Sequence, residues 1–275
     1  MHILLLTLVF RPDGVSTAEL MGELALDLQA AGHRVTVLTT TPHYNLDPES
    51  VARQPLERAW PGLLCRSDFH GIEVLHAVVS AKGGRTFRRI LDYLRFHAVT
   101  LAAAMARVRA VDLGFAPSPP LTSGLFAWLL ALRYRVPFIY NVQEIYPDIA
   151  VEMGLLRNRG LVGILRLMER FIYRKARKVV VICDQFRRVL LEKGVAAEKV
   201  VSIPNFVDAE FVQPLPRDNA FSRQYGLNES FVVSYAGNVG LTQCFEQVLD
   251  AAERLAGYPA VRFVIVGDGG RRRWV

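Results

Sequence analysis

Short apolar runs alternate with amphipathic stretches along almost all of this chain, and few folds accommodate that order. His2–Val9 is an apolar run of the kind expected for a strand buried on both faces. The turn Arg11–Val15 follows, and Ser16 with Glu19 fits a capping box. Leu20, Leu24 and Leu28 line one helical face, Gly32 closes the helix, and Arg34–Thr40 reads as the next strand. Further strand-like runs fall at Ile72–Val79, Asp112–Ala116, Pro137–Val142, Lys178–Cys183 and Val200–Ile203. Helical stretches lie near Thr86–Val108, Leu121–Tyr134, Leu161–Ala176 and Gln185–Lys193. The alternation implies an α/β fold, a parallel sheet with helices on both faces. Thr41–Cys65, with Pro42, Pro48, Pro55 and Pro61, reads instead as a long irregular loop, a feature often tied to function.

A boundary follows Ile203. Pro204 to Asp208, then Pro214, Pro216 and Asp218-Asn219, reads as a linker. The expected division is residues 1–210 as one complete Rossmann-like domain and 211–275 as the start of a second. Phe231–Ala236, a helix near Cys244–Leu255 and Val261–Val266 begin that second domain. At 65 residues it falls short of the roughly 100–150 of a typical domain. Val248, Leu249 and Leu255 form an apolar face without enough sheet to cover.

Composition excludes several classes. Hydrophobic residues make up 51% and charged residues 21%, a globular balance rather than a disordered one. Cys65, Cys183 and Cys244 are widely spaced without a CxxC pair, which points to a reducing compartment and no structural metal. Met1–Phe10 lacks a basic leader, and no run reaches the ~18–20 apolar residues of a membrane span. A cytoplasmic location is expected. The net charge of +7 is concentrated in two stretches, Lys82–Arg109 and Arg157–Lys178. Such stripes suit an anionic membrane surface or substrate. Nucleic acid ranks last, because no zinc-finger spacing or aromatic-basic signature accompanies them. The helix carrying Arg85, Arg88 and Arg89 also carries Phe87, Ile90, Leu91 and Leu94. It is read either as a helix lying on an anionic bilayer or as one burying a face in its own domain.

The candidate chemistry sits just after strands. Gly237-Asn238-Val239-Gly240 follows Phe231–Ala236, and Gly267-Asp268-Gly269 follows Val261–Val266. A glycine turn between strand and helix lets backbone N–H groups approach a phosphate, although a tight structural turn explains it equally well. It is neither GxGxxG nor a P-loop. Gly14 occupies the matching place in the first domain, either for close ligand approach or for a left-handed turn. Two such turns predict a ligand held in a cleft between domains, at the carboxyl ends of both sheets. Gln143 and Glu144, with Asp148 soon after, emerge from the carboxyl edge of Phe138–Val142. Glu144 and Asp148 are placed to orient a hydroxyl or to stabilise developing positive charge, and the alternative is that Glu144 caps a helix. His43, beside Tyr44 in the proline-rich loop, is placed where it could touch a ligand, although a surface role is the favoured reading. His70, His76 and His97 show no metal-ligand spacing.

Taken in order, these segments resemble the retaining glycosyltransferases of family 4 (group 1), which have the two-domain GT-B fold. The similarity is greatest to the subgroup that builds capsular, colanic-acid-type or lipid-linked O-antigen saccharides. It is carried by Gly14, Ala31–Thr39, Val142–Asp148, Ile203–Asp208, Tyr235–Gly240 and Val266–Gly269. The resemblance implies transfer of a sugar from a nucleotide-sugar to a saccharide or lipid-linked acceptor, with retention and without a cofactor or bound metal. By position, Glu144 and Asp148 would be catalytic. Gly14, Gln143, Gly237, Asn238, Gly240 and Gly267 would hold the donor, and Arg85, Arg88 and Arg89 would touch the inner membrane surface. Gln143-Glu144 stands where many members have His-Asp. Members also carry a basic pair after the glycine turn and a later Glu-x7-Glu segment. Here Thr242-Gln243-Cys244-Phe245 follows the turn, so a truncated chain is expected. Two alternatives stand beside this reading: an inactive acceptor- or membrane-binding fragment, and a nicotinamide-dependent oxidoreductase, which the missing GxGxxG disfavours.

Overall fold

The computed structural model describes residues 1–79, 86–240 and 243–272, with residues 86–91 described by their backbone alone. It divides into two compact units, Met1–Val207 and Asp208–Val275. The first unit runs β1 (His2–Leu6), α1 (Ser16–Ala30), β2 (Arg34–Thr40), α2 (Pro48–Arg53), β3 (Glu57–Trp60), β4 (Leu64–Phe69) and β5 (Ile72–Ala77). It continues with α3 (Thr86–Arg107), β6 (Leu113–Pro117), α4 (Thr122–Tyr134), β7 (Phe138–Val142), α5 (Asp148–Glu152) and α6 (Arg159–Lys175). It ends with β8 (Lys178–Val181), α7 (Asp184–Glu192), a 3-10 turn and β9 (Val200–Ser202).

These strands form one sheet in the order β3-β4-β5-β2-β1-β6-β7-β8-β9. β1 lies at its centre, pairing in parallel with β2 on one side and β6 on the other. Successive side chains of a strand point to opposite faces. Leu4 and Leu6 accordingly join the core under α4, α6 and α7, while Leu5 joins a second core with Met21 and Ala25 of α1. Burial on both faces explains why β1 reads as an unbroken apolar run.

The segment Thr41–Cys65 departs from the loop expected there. It contains α2, β3 and the start of β4, and β3, β4 and β5 pair antiparallel as a meander on the sheet edge. Edge strands bury little, so β3 lacks the apolar run that marks the central strands. The capping box expected at Ser16 is also absent. The helix begins at Ser16 itself behind an N-cap at Val15, and Glu19 is drawn to Arg11 instead.

In the second unit, α8 (Ala220–Gln224) precedes β10 (Phe231–Ala236), α9 (Phe245–Arg254) and β11 (Val261–Val266). β10 and β11 pair in parallel from Phe231↔Val261 to Ala236↔Val266. Phe231, Leu255 and Val266 are exposed. α8 follows the stretch read as linker, where no helix was expected. Asn219 Oδ1 accepts from the Ser222 amide (3.0 Å) and Ser222 Oγ from the Asn219 amide (2.9 Å), so a capping box opens this helix.

Helix α4 reaches the core through Gly124. A methyl group there would lie 2.5 Å from Ile172 of α6 and 2.8 Å from the Tyr140 ring of β7, both fully buried. Gly124→Ala is therefore expected to lower unfolding free energy by about 1–3 kcal/mol, because overpacking outweighs the better helix propensity of alanine. Urea titration followed by circular dichroism measures this.

Candidate functional site

A parallel sheet sends its outgoing loops to one edge, and here the reversal of strand order lies beside β1. Ligands of open α/β sheets settle at such a reversal. Asp13, in the loop after β1, is 1% exposed. Its Oδ1 accepts from the amides of His43 and Tyr44, both at 2.6 Å, and so pins the loop that leaves β2. Burial raises the Asp13 pKa above the usual carboxylate value, and the Tyr44 and His43 amides pull it part of the way back. Its Oδ2 is buried without a hydrogen-bond partner, 4.0 Å from His43 Nδ1. His43 Nδ1 lies 2.9 Å from the Thr41 carbonyl, and a carbonyl only accepts, which assigns the proton to Nδ1. The ring is 12% exposed and lies against Tyr44, so the surface role expected of His43 is corrected.

Gly14 is needed for a reason different from a left-handed turn. Its φ is not positive; instead a Cβ would lie 2.5 Å from the Asn45 carbonyl oxygen. The Gly14 amide donates to the Tyr44 carbonyl (3.0 Å), and Asn45 Nδ2 to the Gly14 carbonyl (3.3 Å). The close approach is made by the chain's own β2 loop.

On the other side of the reversal, Ser118 joins the loops after β6 and β7. Its Oγ accepts from the amides of Gln143 (3.1 Å) and Glu144 (3.3 Å) and donates to the Glu144 carbonyl (3.2 Å). Both ends of the Gln143 amide are engaged. Nε2 donates to Asn141 Oδ1 (2.6 Å), and Oε1 accepts from Asn205 Nδ2 (3.0 Å). Glu144 is exposed at its tip, yet partial desolvation still raises its carboxyl pKa. With strands ~4.8 Å apart, Gly14 and Glu144 emerge from strands separated by roughly 10 Å.

Asp148 stands in a different setting. Its carboxylate pairs with Lys193 Nζ (2.7 Å) and Arg166 (3.2 Å), and Lys193 also holds the buried Glu169 (2.6 Å). Burial alone would raise Asp148, but Lys193 and Arg166 together bring it below the usual range. The cluster ties α5 and α6 to the end of α7.

In the second unit, the turn Gly237–Gly240 lies against the segment after β11. The Gly237 amide donates to the Val266 carbonyl and the Val239 amide to that of Asp268, both at 2.9 Å. The Gly240 amide donates to Gln243 Oε1 (3.0 Å). A Cβ at Gly267 would collide with the Gly237 carbonyl oxygen. Gly237, Asn238, Gly240 and Gly267 thus gather at the carboxyl end of this unit's sheet, with three of the turn's donors answered from within the chain.

Arg85 lies outside the described residues, and of Arg88 and Arg89 only the backbone, in α3, is described. Among the described residues no group of three His, Cys, Asp or Glu is placed to hold a metal. Burial lowers the pKa of His76 and of His97 to about 4, so both are neutral packing residues. The sequence reading did not single out Asp13, Ser118, Lys193 or Asn205. Their partners lie from 24 to 62 residues away in sequence, beyond the reach of any local pattern.

Removing the Asp13 carboxylate leaves two amides without their acceptor. Asp13→Ala is expected to cost about 2 kcal/mol of unfolding free energy, whereas Asp13→Asn, which keeps an acceptor oxygen, costs less than about 1 kcal/mol. Amide exchange at His43 and Tyr44 should quicken in the alanine variant and stay slow in the asparagine variant.

Comparison with known proteins identifies the family and the fold. The profile of the glycosyl transferase 4-like domain matches residues 17–205, more than half the chain. A relative from Escherichia coli K12, named as the colanic acid biosynthesis glycosyl transferase WcaI, is 27% identical over 98% of this chain and 66% of its own length. A Pseudomonas aeruginosa relative named as the glycosyltransferase WbjE is 30% identical over 50% of this chain and 35% of its own. Among solved structures, Anabaena HepE in complex with UDP aligns with all of this chain and 63% of its own at a TM-score of 0.63 and 17% identity. The calicheamicin glycosyltransferase CalG4 aligns with 97% of this chain and 65% of its own at a TM-score of 0.52, also with 17% identity. The chain thus spans about two thirds of the length of WcaI and HepE, and its fold is that of GT-B glycosyltransferases. It belongs to the glycosyl transferase 4-like domain family.

Proposed function

We propose that this chain transfers a sugar from a nucleoside-diphosphate sugar to a hydroxyl of a saccharide or lipid-linked acceptor, with retention, during assembly of a bacterial surface polysaccharide. The observation that carries this reading is the family match across residues 17–205, which contains the Ser118–Gln143–Glu144 junction. The colanic acid relative supports the pathway class. HepE, solved with UDP and with UDP-glucose, supports a nucleotide-sugar donor.

In this reading the bond from the anomeric carbon to the diphosphate breaks, a bond to the acceptor oxygen forms, and the acceptor proton leaves with the diphosphate. Stabilising the leaving charge calls for fixed donors. In the second unit the Gly240 amide is held by a side chain, Gln243, which can swing aside for a phosphate oxygen. Gly237, Asn238 and Gly267 give the turn the tight shape that presents this amide. In the first unit Glu144 meets the donor sugar, while Gln143, committed at both ends, fixes the loop that presents it. Gly14 seats the β2 loop on the donor side. Asp148, already paired twice, is assigned a positioning role rather than direct contact with the reacting atoms.

Calorimetric titration of the 275-residue chain with a panel of UDP-, GDP- and dTDP-sugars tests this. One donor should bind saturably, and Gly240→Val, whose side chain would crowd Asn238 Nδ2 and Gln243 Oε1 and block a phosphate from the amide, should weaken it by about tenfold or more, the cost of one blocked charge-assisted hydrogen bond. Absence of binding across the panel overturns the reading, and binding without sugar release leaves a donor-binding protein. Glu144→Gln should lower turnover while leaving donor affinity within about threefold, since the group acts mainly on the transition state.

The Asp148 pair makes a separate prediction about pH. Its folded pKa is depressed, so the unfolded chain takes up the proton at higher pH than the folded chain does. The stability it contributes is whole above the ordinary carboxylate value of ~3.9 and is lost as pH falls through the folded value. Asp148→Asn should therefore be less stable than the parent at pH 7, with the gap closing below about pH 4 in urea titrations.

A further inference from the structure

The second basic stretch, Arg157–Lys178, acquires a shape in the structure that its composition alone did not convey. Helix α6 is apolar on two sides. Its inner side is covered: Ile172 and Tyr173 are buried, and Phe171 meets Trp128 of α4 edge-on at 4.7 Å. Its outer side is not. Ile164 is 60% and Leu167 66% exposed, Leu161 stands at their rim, and Leu155, just before the helix, is 72% exposed. A surface helix ordinarily turns polar residues outward, so a contiguous exposed apolar face marks a docking surface.

The surroundings specify what docks there. Arg157, Arg159, Arg166, Arg170 and Arg174 are all exposed. Glu169, the one acid in the α6 sequence, is buried against Lys193 and Tyr173 and does not offset them. Beside the first turns lies an open depression of about 600 Å³, lined by Arg157, Arg159, Arg166, Leu156, Val162 and Gly163. Arg157 is steadied by the Gly154 carbonyl (3.2 Å) and Arg166 by Asp148 (3.2 Å). A guanidinium has five donors, so both arginines retain N–H groups for an anion. A second copy of this chain fits the face poorly, because a two-fold interface would set these arginines against their own equivalents.

We propose that the outer face of α6, with Leu155 and the arginine-lined depression, docks on an anionic lipid bilayer. Leu155, Ile164 and Leu167 enter the headgroup–acyl boundary, and Arg157, Arg159 and Arg166 receive lipid phosphates. The surface does not include Ser118, Gln143 or Glu144, and it stands whatever sugar the chain handles.

Flotation of the full chain with vesicles tests it, using phosphatidylglycerol–phosphatidylethanolamine against phosphatidylcholine alone. The parent should float with the anionic vesicles only, and less at high salt. Arg157→Ala/Arg159→Ala should lower partitioning about 25-fold, taking about fivefold for each charge near the surface. Ile164→Ser/Leu167→Ser, which leaves the charge intact, should lower it at least about tenfold through lost apolar burial. Circular dichroism confirms that each variant is folded. Unchanged flotation of both folded variants overturns the proposal, as does a failure of the parent to float. So does flotation lost only on replacing Arg85, Arg88 and Arg89, which assigns the membrane to the earlier basic stretch. A lipid-free dimer that the serine variant converts to monomer in sedimentation also overturns it, since a second copy then covers the face.

Discussion

The candidate site of the first unit is displaced to one edge because its central strand has no polar face to offer. β1 is buried along its whole length, and the strands flanking it carry Val35, Val37, Leu38 and Ala116 into the two cores. A charge placed within that sheet would be stripped of water on both sides and left unpaired, at a cost of several kcal/mol. Polar chemistry is therefore confined to the ends of strands, and the parallel arrangement sends the outgoing loops of β1, β2, β6 and β7 to a common edge.

That edge is organised by two small hubs, one on each side of the strand-order reversal. Asp13 gathers the β2 loop by accepting two backbone amides, and Ser118 gathers the β7 loop by accepting two more. Each hub replaces solvent for amides that no strand satisfies, so loops without regular structure acquire a defined shape. The hubs differ in cost. Ser118 is neutral and exchanges hydrogen bonds in both directions. Asp13 keeps one carboxylate oxygen buried and unpartnered, with His43 Nδ1 4.0 Å away. The burial that raises the Asp13 pKa penalises its charged form, a penalty that is relieved as pH falls.

Much of this architecture was legible in the sequence, and the failures have a common origin. Periodicity located the central strands and α1, α3, α4, α6 and α7, because each must bury a continuous face. It missed β3, the edge strand, which buries no side chain fully, and β4 beside it, whose buried residues Leu64 and Ser67 do not alternate. It misread Ser16 and Glu19, because the spacing of a capping box does not reveal that Arg11 competes for the carboxylate. At Asn219–Ser222, where no such competitor intervenes, the reciprocal cap forms. The motifs at Gly14 and Gln143-Glu144 were visible as glycine and acid after a strand. What holds them was not, since the Asp13–His43 and Gln143–Asn205 contacts join residues 30 and 62 positions apart.

In the second unit the glycine turn is satisfied from within the chain, and under the proposed function a ligand must claim a donor already in use. Its donors are satisfied in two ways that differ in how easily they are released. The Gly237 and Val239 amides bond to backbone carbonyls of the segment after β11, and Gly267 has no room for a side chain against them. Breaking those bonds would separate the two segments that define the turn. The Gly240 amide bonds to the end of the Gln243 side chain, which costs only a rotamer change to withdraw. In the proposed reaction, exchanging a neutral amide oxygen for a phosphate oxygen trades an ordinary hydrogen bond for a charge-assisted one, roughly twice as strong. The backbone pair then supplies the rigidity of the turn and the side-chain pair its selectivity for charge, so the glycines fix the shape and Gln243 decides when the site is open.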